Sequence, residues 1–280
     1  MVLRMRAYSI AIYLFLYAPI VLIVLFSFNS GNNAADFQGF SVLWYGKAAN
    51  NRFVLEAVTH SLIVASTSAS LATIFGTMAA LAVQRVKGVV RLFFDAMTYV
   101  AIMVPGIVIG ISTLIALVTT FGLVNEMLTA IWPGDPATAP RLGMGFGSII
   151  AAHTLFSLAL VIVIVRARIA GMDRSLMEAS ADLYATPWGT FRQVTLPLIL
   201  PAVVAGFLLS FTFSFDDFVV AFWVAGSETT LPIYIFASIR RGVTPEINAI
   251  GTVVLTISLI ILFSAQLMLR RGEKPKAKAA

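Results

Sequence analysis

Apolar runs separated by short polar or basic stretches set the pattern of this chain. A bilayer core of ~30 Å is crossed by about 20 helical residues. Six runs are long enough: roughly residues 8–28, 57–83, 93–121, 148–165, 196–224 and 249–269. They predict an all-α, polytopic membrane protein with six transmembrane helices. Arg4 and Arg6 precede the first run, as they would in a signal peptide. That run is too long for a typical signal core, and "SFNSGNNAADF" after it has no clean small-residue cleavage site. It reads as an anchor that is kept.

Composition agrees. The chain is 59% hydrophobic and 11% charged, with mean hydropathy +0.94, whereas soluble domains are about 25% charged. Residues 1–280 are expected to form a single transmembrane domain. The chain has no cysteine, which excludes disulfides, a thiol nucleophile and a cysteine metal site. His60 and His153 are far apart and read as ordinary polar residues near span ends, so no metal site is expected. The net charge of +6 reads as topology rather than nucleic-acid binding. Arg4, Arg6, Arg85, Lys87, Arg91, Arg166, Arg168, Arg174, Arg192 and the basic tail from Arg270 hold fourteen of the nineteen lysines and arginines. They fall in alternate flanking segments, so the positive-inside rule puts both termini in the cytoplasm. The tail "RRGEKPKAKAA" is a topological anchor or a contact for anionic membrane lipid.

Two spans are irregular. Pro105 and Gly106 fall within the third; a proline removes an amide hydrogen bond and kinks a helix, which suits a packing kink or a hinge beside a pathway. Pro197 and Pro201 fall at the expected start of the fifth, where a helix tolerates proline. Ala65, Ser66, Ser68, Ala69, Ser70, Gly76, Ala79 and Ala80 give the second span a composition suited to close helix packing.

The segment 166–195 is the longest cytoplasmic loop. Asp173 or Ser175 is placed to cap a helix through Leu176, Met177, Ala179, Ser180 and Leu183. A second short helix is expected after Pro187. Such an element either lies on the bilayer surface or docks a cytosolic protein.

In "SFTFSFDDFVVAF", residues 210–222, Asp216 and Asp217 sit side by side within an apolar span. An intramembrane carboxylate costs at least ~2.5–3.5 kcal/mol, and no lysine or arginine shares the span. Adjacent helical residues point about 100° apart, so one aspartate faces a pathway and the other a neighbouring helix or backbone group. Ser214 offers a hydroxyl nearby. The pair suits a hydrogen-bonded structural role, a proton relay or a site for a cation, for which Phe213 and Trp223 are candidate aromatic faces. Trp44 and Tyr45 are belt residues or, for Trp44, a pathway contact; Tyr17 lies within the first span near Pro19, where its hydroxyl either finds a local partner or serves the pathway. Glu246 either caps the sixth span or meets an external partner; Arg240 and Arg241 either dock acidic residues of such a partner or lie in a solvated loop.

"EASADLYATPWGTFRQVTLPLILP", residues 178–201, resembles the EAA motif of permease subunits of ATP-binding-cassette importers. Glu178, Ala179, Asp182, Leu183, Ala185, Phe191, Leu196, Pro197 and Pro201 match it. Ser180 departs mildly. Tyr184 departs more, standing where the family usually has glycine and denying the close backbone approach that glycine allows. The run around Asp216 and Asp217 and the later "GVTPEINA" are similar to the spermidine and putrescine permeases of that family, and the similarity covers essentially the whole chain.

The resemblance implies a type I importer permease in the bacterial inner membrane. The 166–195 loop would be a coupling helix that receives the stroke of a cytosolic ATPase, with Glu178 paired to a basic residue there. Implied partners are a second, different permease subunit, two copies of the ATPase and a periplasmic solute-binding protein. The implied substrate is a small polyamine, with another organic cation, an amino-acid-like solute or an opine as alternatives. The chain has no phosphate-binding G-x-x-x-x-G-K-[ST] loop, so ATP and magnesium belong to the partner ATPases and no cofactor is expected here. A secondary transporter or channel is the rival from another class, and it would have no use for an ATPase docking loop. An intramembrane aspartyl protease would need aspartates on two spans in motifs that are absent.

Overall fold

The computed structural model describes residues 2–33, 36–173, 175–242 and 244–272. Arg174, Lys274, Lys276 and Lys278, used above for orientation, lie outside them. The described residues form α1 (Val2–Ser27), α2 (Leu43–Asn50), α3 (Arg52–Val83), α4 (Gly88–Met103), α5 (Gly106–Ile131), α6 (Phe146–Ala170), α7 (Ser175–Asp182), α8 (Pro187–Thr190), α9 (Leu196–Asp216), α10 (Val219–Val224), α11 (Leu231–Arg241) and α12 (Pro245–Gly272). A 3₁₀ turn covers Pro136–Thr138 and a π turn Phe191–Thr195. Six helical stretches are long and apolar enough to cross a membrane: Tyr8–Ser27, Arg52–Val83, Gly106–Ile131, Phe146–Ala170, Pro187–Asp216 and Pro245–Leu267.

Three expected spans change shape. The third, read as continuous over 93–121, is two helices that break at Val104 and Pro105. Val104 precedes a proline and is driven to an extended backbone, φ −67° and ψ 129°. Pro105 then opens α5, its carbonyl accepting from the amides of Val108 and Ile109. The fourth span runs on to Ala170, so Arg166 and Arg168 are helical and not loop residues. In the fifth, Pro197 occupies the first turn of α9, but Pro201 lies inside the helix, and the helix stops at Asp216 instead of reaching Val224. The sequence reading had no counterpart for α2 or α11.

The chain divides into two compact units, residues 1–59 with 231–260 and residues 60–230 with 261–280. In the first, Asn29 organises the turn after α1. Its amide nitrogen donates to the carbonyls of Asn33 and Asp36, and its amide oxygen accepts from the backbone of Gly31 and Gln38. Further along, Asn51 accepts from the amide of Phe53 in the first turn of α3, and its own amide donates to the Glu246 carboxylate at 2.9 Å and the Tyr234 hydroxyl at 3.4 Å. Most side chains of α1 are exposed, a surface suited to lipid.

The second unit is built on α6 and α9. Val161, Val165 and Ile169 of α6 pack with Ile199 of α9 and with Ala72 and Ala80 of α3. Small residues on α3 let α6 approach: a Cβ at Gly76 would stand 2.8 Å from the Val161 Cβ. Gly110 does the same for α5 and α10, since a Cβ there would meet the Trp223 ring at 2.7 Å. Such contacts are how membrane helices associate where no hydrophobic effect separates them from lipid.

Candidate functional site: a broken helix and an exposed knob

Asp216 and Asp217 mark a break in the chain. Asp216 is the last residue of α9; Asp217 follows with an extended backbone, φ −73° and ψ 121°. The Asp217 Oδ2 accepts from the backbone amides of Val220 at 2.9 Å and Ala221 at 3.0 Å. It therefore caps the first turn of α10, satisfying amides that have no intrahelical partner. Aspartate offers its carboxylate to downstream amides in competition with the helix, which is why the helix ends here despite the apolar residues on either side.

The side-chain neighbour of Asp217 comes from α6. His153 is 1% exposed. Its Nε2 stands 3.3 Å from Asp217 Oδ2, close enough for charge attraction but without the alignment of a hydrogen bond. Its Nδ1 is 2.7 Å from the Ser214 hydroxyl, which in turn is 2.9 Å from the Ser68 hydroxyl of α3. His153 is thus a buried participant and not an ordinary residue near a span end. His60 lies nine residues into α3, 3.3 Å from the Glu228 carboxylate and edge-on to the Phe146 ring.

Asp216 takes a different place from its neighbour. It is exposed and lines a cavity of about 320 Å³ with Leu209, Thr212, Phe213, Asp217 and Leu262. No lysine or arginine lines it. Phe213 joins the two aspartates there. Trp223 instead packs across Gly110 of α5 and edge-on to Phe222. Tyr17, 56% exposed, pairs its ring with Tyr13 on α1. Trp44 is buried, its indole N–H donating to the Gly31 carbonyl at 3.1 Å and Lys47 lying over its ring. Pro105 and Gly106 open α5, with Gly106 within contact distance of Val219 on α10.

The segment between the fourth and fifth spans folds as two short helices joined by a tight turn. Asp173 accepts from the Ser175 amide at the start of α7, which holds its carboxyl below the ordinary 3.8; the Ser175 side chain adds to this. The Thr186 hydroxyl caps α8 by accepting from Gly189. Ser180, buried where the family pattern has alanine, hydrogen-bonds the Thr190 hydroxyl at 2.8 Å and clasps α7 to the last residue of α8. At the end of α7 the Tyr184 amide donates to Ala181 and the Ala185 amide to Ser180, the paired bonds of a Schellman cap. Tyr184 has φ +55°, the left-handed value that this cap demands. The usual glycine here therefore answers a conformational demand. Tyr184 is 96% exposed, so its side chain stands clear of the rest of the chain.

Leu183 and Trp188 are also well exposed, so the knob presents an apolar face. Ala179 and Asp182 are exposed beside them. Glu178 borders a wide cavity of about 800 Å³ together with Arg85, Arg91 and Arg166. Arg166 is paired with Asp95 of α4 at 2.5 Å.

Six apolar spans among the described residues, a helix break and a capped helical knob describe a polytopic membrane subunit. The chain belongs to the family of binding-protein-dependent transport system inner membrane components, which it matches over residues 72–274. It is a multi-pass inner-membrane permease of an ATP-binding-cassette importer, and ATP hydrolysis lies on a separate subunit. It is 38% identical over 265 residues to the spermidine/putrescine transport system permease protein PotC of Escherichia coli (strain K12), covering 94% of this chain and 93% of that one. It is 37% identical over 268 residues to the putrescine transport system permease protein PotI of the same strain, covering 94% and 90%. Among solved structures, a bacterial importer of the acidic polysaccharide alginate has a chain that superimposes with a TM-score of 0.72 at 18% identity, covering 98% of this chain and 96% of that one. The methionine importer MetNI gives 0.52 at 15% identity, covering 80% and 100%. Likeness at that identity establishes the fold.

Proposed function

We propose that this permease carries a small polyamine, putrescine or spermidine, inward by alternating access, with Asp216 as the carboxylate that meets the cation. The observation that carries the reading is the Asp216 cavity: an exposed carboxylate at a helix break, an aromatic ring from Phe213 beside it and no basic side chain in the lining. Charge attraction there offsets part of the hydration a polyamine loses on leaving water, and the Phe213 face adds attraction for an ammonium group. Identity near 38% to permeases named for spermidine and putrescine supports the same substrate class. Another small organic cation would satisfy the same cavity.

The wider assembly follows the family pattern. Both termini are cytoplasmic, the fold is of type I, and a second permease subunit completes the membrane pair. Two ATPase copies engage the 166–195 loop, where Glu178 and the apolar face of Leu183, Tyr184 and Trp188 form the docking knob. A periplasmic binding protein delivers the substrate to the opposite face. The test is uptake of labelled putrescine and spermidine by cells carrying the intact system, with Asp216→Asn and Glu178→Ala beside wild type and assembly checked. Loss of uptake in an assembled Asp216→Asn complex is the expected result. Normal uptake in that variant, or no polyamine uptake by wild type, overturns the substrate reading.

A further inference from the structure

His153 is the buried titratable group that the proposed pathway leaves without a role. It projects from α6, about two turns past Phe146, into a region with a Ser214 contact on one side and an Asp217 contact on the other. Those two residues bracket Asp216 in the chain: Ser214 lies on the last turn of α9, and Asp217 caps α10. One imidazole from a different helix therefore grips the chain on both sides of the residue that lines the cavity.

The proton positions are constrained. A ring protonated on Nδ1 alone would aim its Nε2 lone pair at the Asp217 carboxylate 3.3 Å away, which is repulsive. Two states remain. In the neutral one, Nε2–H faces Asp217 while Nδ1 accepts from the Ser214 hydroxyl, and Ser68 donates to Ser214. In the charged one, Nδ1–H donates to Ser214, Ser214 donates to Ser68, and Ser68 donates to the Ala65 carbonyl at 3.3 Å. Both states keep Nε2–H toward Asp217, and only the direction of the hydroxyl chain reverses. A buried polar group of this kind is costly unless partnered; Ser214 partners Nδ1, and the Asp217 carboxylate that caps α10 stands 3.3 Å from Nε2.

We propose that His153 is a positioning residue for transport: by holding Ser214 and Asp217 it fixes where the Asp216 carboxylate stands in the cavity. The inference rests on the reading that Asp216 meets the substrate. The test uses the complete transporter in proteoliposomes with loaded binding protein, and reads putrescine moved per ATP hydrolysed. A merely structural loss lowers the amount of active complex and leaves that ratio unchanged. We expect His153→Leu and Asp216→Asn each to lower the ratio about tenfold, and the double variant to be no worse than Asp216→Asn, since coupled residues are not additive. His153→Gln, which keeps a donor for Asp217, recovers part of the ratio. It also carries the comparison where the leucine variant does not assemble. A normal ratio in the His153 variants, or a double variant about a hundredfold down as independent sites would give, overturns the role of His153 while leaving Asp216 in place. A normal ratio in Asp216→Asn overturns the substrate reading itself, and the positioning role with it.

Discussion

Asp216 and Asp217 are adjacent in the chain and belong to different structures: Asp216 ends α9 and lines the cavity, whereas Asp217 caps α10 and faces His153. Two carboxylates that look equivalent in sequence therefore answer to different physics. One lines the cavity, and the other accepts from two backbone amides and stands beside an imidazole.

Substituting them separates those roles. Asp217→Ala removes a helix cap and is expected to cost about 0.5–2 kcal/mol of stability, with Asp217→Ser recovering much of it because serine also caps. Asp216→Asn keeps the size of the side chain and a hydrogen-bonding oxygen, and is expected to destabilise less than Asp217→Ala. Thermal unfolding of the purified complex, compared with transport by each variant, checks the split. Equal destabilisation by both would contradict it.

Tyr184 carries a left-handed backbone without the freedom of glycine. Tyr184→Gly is expected to stabilise the end of α7 by about 1 kcal/mol, and Tyr184→Ala to give no such gain, because the penalty belongs to the Cβ. Hydrogen exchange at the amides of Tyr184 and Ala185 measures this directly. Slower exchange in the glycine variant alone is the expected pattern.

Asp173 gives a pH dependence with a definite sign. Its folded carboxyl titrates below the ordinary 3.8 because the ionised form accepts from the Ser175 amide. The contribution to α7 is fully present above the unfolded value and is lost as pH falls through the lower folded one. The carbon-13 carboxyl titration of Asp173 should have its midpoint below 3.8, and Ser175→Pro, which deletes the amide, should return it toward the ordinary value. A midpoint at or above 3.8 in the wild-type chain would count against the cap.

Gly110 sits where α5 meets the Trp223 ring, with a hypothetical Cβ at 2.7 Å. Gly110→Val should overpack this contact and destabilise by about 1–3 kcal/mol, read as a lower unfolding midpoint of the complex. Gly122, with no atom within 4 Å of such a Cβ, is the control: Gly122→Ala should be tolerated.

The spans were legible because a bilayer imposes a length on apolar helices, and the cap at Asp173 was legible because it is a local signal. The break after Asp216 was harder to read. Phe and Val surround the aspartates, so the run scans as one apolar helix, and only the capping chemistry of Asp217 contradicts that. His153 was illegible for another reason: its partner Ser214 is 61 residues away, and no periodicity links them. The eleven residues of α11 are too few to cross a membrane, so a search by span length passes over them. At Tyr184 the sequence marked a departure from glycine, but the left-handed backbone could not be read there, since a positive φ leaves no mark on composition.

Asn51 has a mechanical consequence. A single amide side chain with two torsions joins the first turn of α3 to the first turn of α12 through Glu246, and reaches Tyr234 on α11 as well. The two helix ends meet at one shared side chain, so parting them there breaks a charge-assisted bond, which is worth more than a neutral one.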